Sequence, residues 1–314
     1  VNRVPPPGRV VDAGGVRLHI NCAGSGTPAV VFDAALGASS ISWSLVQPAV
    51  ARITTACTYD RAGFGWSGAG PLPRTAGRIA GELHALLARA NVPPPYVLVG
   101  HSFGGLVMRI FSARFPAATA GLVLIDPAHP EEWLEPGAHE RRQIDRGVRL
   151  CRYGARAARL GMAKAVAAFV AIGALAPARA MVGLISRGGL SRADEDILAP
   201  MWKLPPEARR PLAQFWTDPK FFEALGSQIE SICESAAEAR DAAVRPLDDR
   251  PLTVIAAESA SARRRQLHQA LARQSSRGRF LVAPESGHWV PLDQPAVVID
   301  AIVRMVEGAR ADLS

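Results

Sequence analysis

The sequence predicts an α/β chain: a doubly wound, mostly parallel eight-stranded sheet with one inserted helical cap. Two observations point to the sheet and a third to the cap. Short apolar runs with almost no polar alternation recur along the 314 residues, as strands do when both faces of a parallel sheet are covered. Stretches of helical periodicity lie between them, giving a βαβ rhythm. One interval is far too long for an ordinary connection.

Val10 to Ile20 opens the chain as two short strands around Gly14 and Gly15, a dipeptide whose tolerance of positive φ suits a hairpin. Six further runs read as strands: Ala29–Phe32, Thr55–Tyr59, Tyr96–Val99, Leu122–Ile125, Leu252–Ala256 and Arg279–Val282. Ile79, Leu83, Leu86, Leu87 and Ala90 recur at helical spacing, and Leu267, Ala270, Leu271 and Gln274 mark another helix with a narrower apolar stripe. About 125 residues separate Asp126 from Leu252. Residues 1–127 and 246–314 are therefore read as two parts of one core, and Ala128 to Arg245 as the cap. Its large aromatics are Trp133, Phe169, Trp202, Phe215, Trp216, Phe221 and Phe222. Core packing accounts for most of them, with two or three expected to line a pocket.

Composition narrows the class. Nearly half the residues are apolar, a fifth are charged and the formal net charge is +8, which describes a globular chain with a basic surface. No zinc-knuckle spacing, RNA-binding aromatic motif or basic helix-turn-helix accompanies that charge, so nucleic acid is not expected as a partner. The apolar run Ala165–Ala176 falls short of the roughly 20 residues that a spanning helix needs. The chain opens at Val1, and Pro5, Pro6 and Pro7 follow. This opening is compatible with removal of a leader or anchor, and an extracytoplasmic location weighs equally with a cytoplasmic one.

The chemistry-bearing pattern is Tyr96-Val-Leu-Val-Gly100-His101-Ser102-Phe103-Gly104-Gly105, a strand, then G-x-S-x-G, then a helix continuing through Leu106, Met108, Ile110 and Phe111. The sharp strand-to-helix turn strains the serine and leaves room only for glycine two positions either side, which Gly100 and Gly104 provide. It also lifts the Ser102 hydroxyl above a helix N-terminus, where free amides favour negative charge. Serine needs a neighbouring base to attack at neutral pH. Of the seven histidines, His288 is the candidate, because it follows the last strand in a Gly-flanked loop. His101 lies inside the turn and reads as structural; His19, His84 and His268 fall in strands or helices and read as packing or surface residues.

Three segments together resemble the α/β-hydrolase superfamily. Gly100-His-Ser-Phe-Gly104-Gly105 is similar to its nucleophile motif. Tyr59-Asp60-Arg61-Ala62-Gly63-Phe64-Gly65-Trp66-Ser67 is similar to the loop that esterase-like members carry after the fourth strand. Ser286-Gly287-His288-Trp289 with Asp293-Gln294-Pro295 resembles the histidine loop and the start of the last helix. The resemblance covers both ends of the chain and leaves the cap unmatched.

It implies the chain order Ser, acid, His, with the acid after the sixth or the seventh strand. Asp126 ends the run Leu122–Ile125 and is the first choice; Glu258, after the later strand, is the alternative. It implies an oxyanion hole formed by the Phe103 amide and one amide after the third strand, assigned to Leu36. Family members commonly carry a His-Gly pair in that loop, where this chain has Ala34-Ala35, so the support of the loop is open, with Asp33 a candidate for part of it. No metal or organic cofactor is expected.

The resemblance also places the second and fourth strands side by side, which would bring Cys22 near Cys57, and it leaves Cys151 and Cys233 together in the cap. If bridged, these pairs imply maturation outside a reducing cytoplasm. From Arg141 to Arg187, ten Lys or Arg face one acid, Asp145, and Arg149, Arg152, Arg156 and Arg159 keep helical spacing. A solvated face is preferred there over contact with an anionic membrane surface. The expected activity is cleavage of carboxylic esters of hydrophobic small molecules. Amide, peptide or carbon-carbon hydrolysis by the same residues, or a ligand receptor on the same fold, are the rivals. Ser102 argues against the aspartate-nucleophile branches, and oligomeric state is not legible.

Overall fold

A computed structural model of the protein describes residues 4–171, 176, 203–242 and 249–313. In chain order its elements are β1 (Arg9–Asp12), β2 (Arg17–Ala23), β3 (Ala29–Asp33), α1 (Gln47–Val50), β4 (Ala56–Tyr59), α2 (Ala76–Arg89), β5 (Tyr96–His101), α3 (Phe103–Arg114) and β6 (Thr119–Ile125). Then come α4 (Ala138–Arg159), α5 (Met162–Ala171), α6 (Pro206–Phe215), α7 (Pro219–Glu230) and α8 (Ile232–Ala242). The chain finishes with β7 (Leu252–Ala257), α9 (Ala262–Ala272), β8 (Gly278–Ala283), α10 (Val290–Asp293) and α11 (Pro295–Leu313).

The eight strands form one sheet in the order β1-β2-β4-β3-β5-β6-β7-β8. β1 and β2 run antiparallel, as do β2 and β4, and every other pairing is parallel. The opening hairpin turns through Gly14 and Gly15 at φ 84° and 91°, and Asp12 Oδ1 accepts from the Gly15 amide at 2.6 Å.

Strand side chains alternate between two apolar layers. Val31, Leu98, Leu122, Leu124 and Val254 face a layer with Ile79, Leu83 and Leu87 of α2, Leu106 and Ile110 of α3, and Ile232 of α8. Val30, Phe32, Val97, Val99, Val123, Ile125 and Ile255 face the other, with Trp43, Val50 and Val298, Ile302 and Val306 of α11. Burying each such Leu, Ile or Val contributes about 1.5–3 kcal/mol. This double coverage is why the runs lack polar alternation. β8 departs from the pattern: it is an edge strand, and Leu281 and Val282 keep 39% and 41% of their surface exposed.

The long segment between β6 and β7 is tied to the core at the start of α2. Helix starts leave amides without intrahelical partners, and here side chains of α7 and α8 take several of them. Ser227 Oγ accepts from Arg74 N at 3.0 Å, Ser235 Oγ from Ala76 N at 3.0 Å and Glu238 Oε2 from Gly77 N at 2.7 Å. α4 lies on α7, with Ile144, Val148 and Cys151 against Phe221, Leu225 and Ile229. Arg149, Arg152, Arg156 and Arg159 all fall on the exposed face of α4. Among the described residues no helix is long and apolar enough to cross a membrane.

Cys22 and Cys57 are directly opposed across β2 and β4 and form a disulfide, with Cα atoms 4.0 Å apart. Cys151 and Cys233 are not bonded to each other. Cys151 on α4 faces Gly226 of α7, whereas Cys233 on α8 packs toward the sheet layer; the two cysteines serve different packing surfaces, so the pairing considered for them is not formed. Trp202, Arg179, Arg187 and the expected boundary at Arg245 lie outside the described residues.

Candidate active site

β5 ends in the turn that the glycines foretold. Ser102 has φ 53° and ψ −118°, a conformation costly for any residue with a side chain. Its amide donates to Ile125 O at 3.0 Å, and its carbonyl accepts from Gly105 N at 2.9 Å and Ala128 N at 3.0 Å, so neighbouring strands and α3 together hold the strain. The glycines are required by close backbone approach. A Cβ on Gly100 would stand 2.6 Å from Gly104 O, and one on Gly104 would stand 2.5 Å from Asp33 O. Gly104 thus makes room for the loop after β3 rather than for Ser102 itself.

The candidate base and acid come from the same edge of the sheet. His288 Nε2 lies 3.0 Å from Ser102 Oγ, and His288 Nδ1 lies 2.6 Å from Asp126 Oδ2. A carboxylate only accepts, so Nδ1 carries the proton and Nε2 is left to accept from the serine hydroxyl. The series can therefore draw the proton from Oγ onto the imidazole. Ser102 and Asp126 are buried, whereas the His288 side chain is 24% exposed.

Asp126 is held on several sides. Its amide donates to Ile255 O at 2.6 Å, and its Oδ1 accepts from Ala257 N at 3.2 Å. Arg264 Nη1 lies 3.9 Å from Oδ2, and His268 Nδ1 3.8 Å from Oδ1. Burial alone would raise its pKa, but the hydrogen bond and charge of His288, with Arg264 and His268 behind, hold the carboxyl well below its ordinary value. Glu258 sits elsewhere: its Oε2 accepts from Glu285 N at 2.6 Å, and its amide donates to Ser286 Oγ at 3.2 Å. The alternative acid fastens the histidine loop and does not meet His288. Gly287 N donates to Asp293 Oδ2 at 3.0 Å, which fixes the other side of that loop.

His101 packs beside His288 with ring centroids 4.9 Å apart, and its Nε2 donates to the His288 carbonyl at 2.8 Å. Burial, and then the charge of His288, lower its pKa to about 3, so it remains a neutral support. Of the histidines read as packing or surface residues, His19 and His268 are buried.

Ala34, Ala35 and Ala38 of the loop after β3 pack with Leu204, Leu212, Phe215 and Trp289. Leu36 packs between the sheet layer and the cluster of Phe64, Phe221 and Leu225. Trp216 borders a small hollow beside this loop, against Gly37, Ala38 and Ser39. Trp133 packs on the sheet layer. Phe222 lines a separate groove of about 600 Å³ with Leu72, Val148 and Arg152, a groove to which none of Ser102, Asp126 and His288 contributes. Among the described residues no group of three or more His, Cys, Asp or Glu is arranged to hold a metal ion.

Asp60, Arg61, Arg264 and His268 were not singled out as site residues in the sequence. Asp60 Oδ1 accepts from Ser40 N at 2.7 Å, its Oδ2 accepts from Trp66 N at 3.1 Å, and His19 Nδ1 lies 2.8 Å from Oδ2. Arg61 Nε donates to Asp33 Oδ1 at 2.8 Å; an acid ending β3 and a base just after the neighbouring β4 were the available signal for that contact.

This sheet, with a serine at a strand-to-helix turn and a histidine and an acid at the same edge, defines a hydrolase-type architecture. The chain belongs to the alpha/beta hydrolase family, whose family model matches residues 30–301. Among curated relatives it is 38% identical over 105 residues to the uncharacterized protein YqjL of Bacillus subtilis, a match covering 33% of this chain and 42% of that protein. The match thus spans less than half of that relative's length. Among solved structures it is similar to a thermophilic esterase from Thermogutta terrifontis, with TM-score 0.66, 19% identity and coverage of 98% of this chain and 99% of that one. It is also similar to a putative epoxide hydrolase from Pseudomonas aeruginosa, with TM-score 0.69, 16% identity and coverage of 98% and 97%. Identities this low establish the shared fold alone.

Proposed function

We propose that the chain hydrolyses carboxylic esters of hydrophobic small molecules through an acyl-enzyme on Ser102. The observation that carries this reading is the continuous contact from Ser102 Oγ through His288 to Asp126. As Oγ attacks the ester carbonyl, Nε2 takes its proton, and the ionised Asp126 stabilises the imidazolium that forms. The amides of Phe103 and Leu36 receive the charge developing on the carbonyl oxygen. Collapse expels the alcohol, which takes the proton from Nε2; water then repeats the sequence and frees the acid.

The segment between β6 and β7 acts as a cap over this centre. Leu204, Leu212 and Phe215 stand over the loop that bears Leu36, which favours apolar acyl or alcohol groups. The solved esterase of similar fold is in keeping with ester chemistry. Epoxide hydrolysis in this superfamily relies on an aspartate nucleophile, and Ser102 occupies that place here.

A fluorophosphonate probe is expected to label the wild-type protein and not Ser102→Ala, and a series of nitrophenyl esters of rising chain length is expected to be cleaved. Labelling without ester cleavage would shift the reading to amide or carbon-carbon hydrolysis by the same residues; absence of both would leave a ligand receptor.

A further inference from the structure

The loop after β3 must present an amide to the reacting carbonyl, yet Ala34 and Ala35 offer no side chain that could hold it in place. It is held from the loop after β4 instead. Arg61 Nε donates to Asp33 Oδ1 at 2.8 Å, Nη1 donates to Ala35 O at 3.2 Å and Nη2 donates to Ala34 O. Its guanidinium carbon stands 5.0 Å from the centre of the Phe103 ring. Arg61 is 3% exposed and Asp33 1%, so the pair is almost fully withdrawn from water. Asp60 secures the far end of the same loop by accepting from Ser40 N at 2.7 Å.

Two physical points turn these contacts into a role. A buried ion pair is weak evidence for stability, because desolvation consumes much of the attraction; here the guanidinium's bonds to Asp33, Ala34 and Ala35 fix the direction of the loop carbonyls. And the carbonyl of Ala35 and the amide of Leu36 belong to one planar trans peptide, so they point in opposite directions. Ala35 O accepts both from Arg61 and from Ala38 N at 3.2 Å. Pinning that oxygen on a cation turns the Leu36 N–H the other way and increases its polarity. The second expected donor, the amide of Phe103, belongs to the residue whose ring lies beneath the same guanidinium.

We infer that Arg61 is the positioning residue of the oxyanion-binding amides, aiming the Leu36 N–H through the Ala35 carbonyl and steadying the Phe103 turn through its ring. The inference rests on the reading of Ser102 as an ester-cleaving nucleophile. It assigns to the guanidinium the support that a His-Gly pair would otherwise be expected to give, and it requires Arg rather than Lys, since only a fork can serve Asp33, Ala34 and Ala35 together.

The test uses the full chain as wild type, Arg61→Lys and Arg61→Met, with melting curves to establish folding. Kinetics on a nitrophenyl ester are compared with inhibition by an aryl trifluoromethyl ketone, whose serine adduct carries an oxyanion. Loss of one oxyanion donor typically lowers kcat about 100-fold or more, and that is the fall expected for Arg61→Met. KM should stay within about threefold, and affinity for the ketone should fall in parallel with kcat. Arg61→Lys should recover part of both, because an ammonium reaches fewer of these acceptors.

Folded variants with kcat and ketone affinity within about threefold of wild type would overturn the inference, as would a fall in kcat without a parallel loss of ketone affinity. Failure of both variants to fold would assign Arg61 to the fold alone. A wild-type protein that neither labels with fluorophosphonate nor cleaves the ester would instead remove the reading of Ser102, a failure visible before any variant is made.

Discussion

Asp126 Oδ2 lies 2.6 Å from His288 Nδ1 although 162 positions separate the two residues, and that contact leaves Glu258 free to brace the histidine loop. Asp126→Asn is expected to lower kcat on a nitrophenyl ester by about 10³–10⁴, because an amide can offer Nδ1 a proton and so favour the wrong tautomer. Glu258→Gln keeps an acceptor oxygen for the Glu285 amide and should stay within about threefold of wild type. Steady-state kinetics of the two variants side by side check this; a crippled Glu258→Gln with an active Asp126→Asn would reverse the assignment.

The cross-link between β2 and β4 predicts a simple count. Under denaturing, non-reducing conditions a thiol reagent should find two cysteines, Cys151 and Cys233, and four after reduction. The bridged residues are 35 positions apart, and closing a loop of that size is worth about 4 kcal/mol in the chain-entropy account. Denaturant unfolding with and without reductant should show a difference of that order. Four thiols before reduction would remove the bridge.

Buried His101 gives the folding equilibrium a defined acid limb. Its pKa is lowered to about 3 in the fold, against about 6.5 in the unfolded chain. Between those values the unfolded state binds a proton that the folded state refuses, so stability falls as pH drops below 6.5 and recovers as pH rises. His101→Gln keeps a donor for the His288 carbonyl and does not titrate. Between pH 6.5 and pH 5 the wild type should lose about 1–2 kcal/mol more than this variant. Parallel pH dependences in denaturant melts would show that His101 is not the group responsible.

Much of the fold was legible because buried parallel strands leave uninterrupted apolar runs. β3 and β4 are bounded to within one residue, and β6, expected to start at Leu122, starts three residues earlier at Thr119, where Thr119, Ala120 and Gly121 precede the uninterrupted large apolar run. The site was legible where local geometry dictates residue type, as at Gly100, Ser102 and Gly104. It was opaque where partners come from distant segments. Nothing adjacent to Arg61 announces that its acceptors include the carbonyls of Ala34 and Ala35. Likewise Cys151 and Cys233 share a segment, yet the helices that carry them pack on different neighbours, a fact of tertiary arrangement that periodicity does not encode.

The two glycines Gly104 and Gly81 should respond in opposite ways to the same added methyl group. A Cβ on Gly104 would stand 2.5 Å from Asp33 O and 2.9 Å from Ala34 O, and backbone oxygens cannot swing aside as a flexible side chain can. Gly104→Ala must push the loop after β3 off the first turn of α3, at a cost of about 1–3 kcal/mol as in other overpacked sites. Because the same loop carries the Leu36 amide, kcat should fall by about tenfold or more through misplacement of a single donor. Gly81, inside α2, would place its Cβ with nothing within 4 Å. Gly81→Ala removes backbone freedom from the unfolded chain without a clash, so it should add about 0.5–1 kcal/mol and leave kcat unchanged. Denaturant melts and ester kinetics on both variants check the pair. A Gly104→Ala protein as stable and as active as wild type would mean that the loop after β3 does not rest on the turn that carries Ser102.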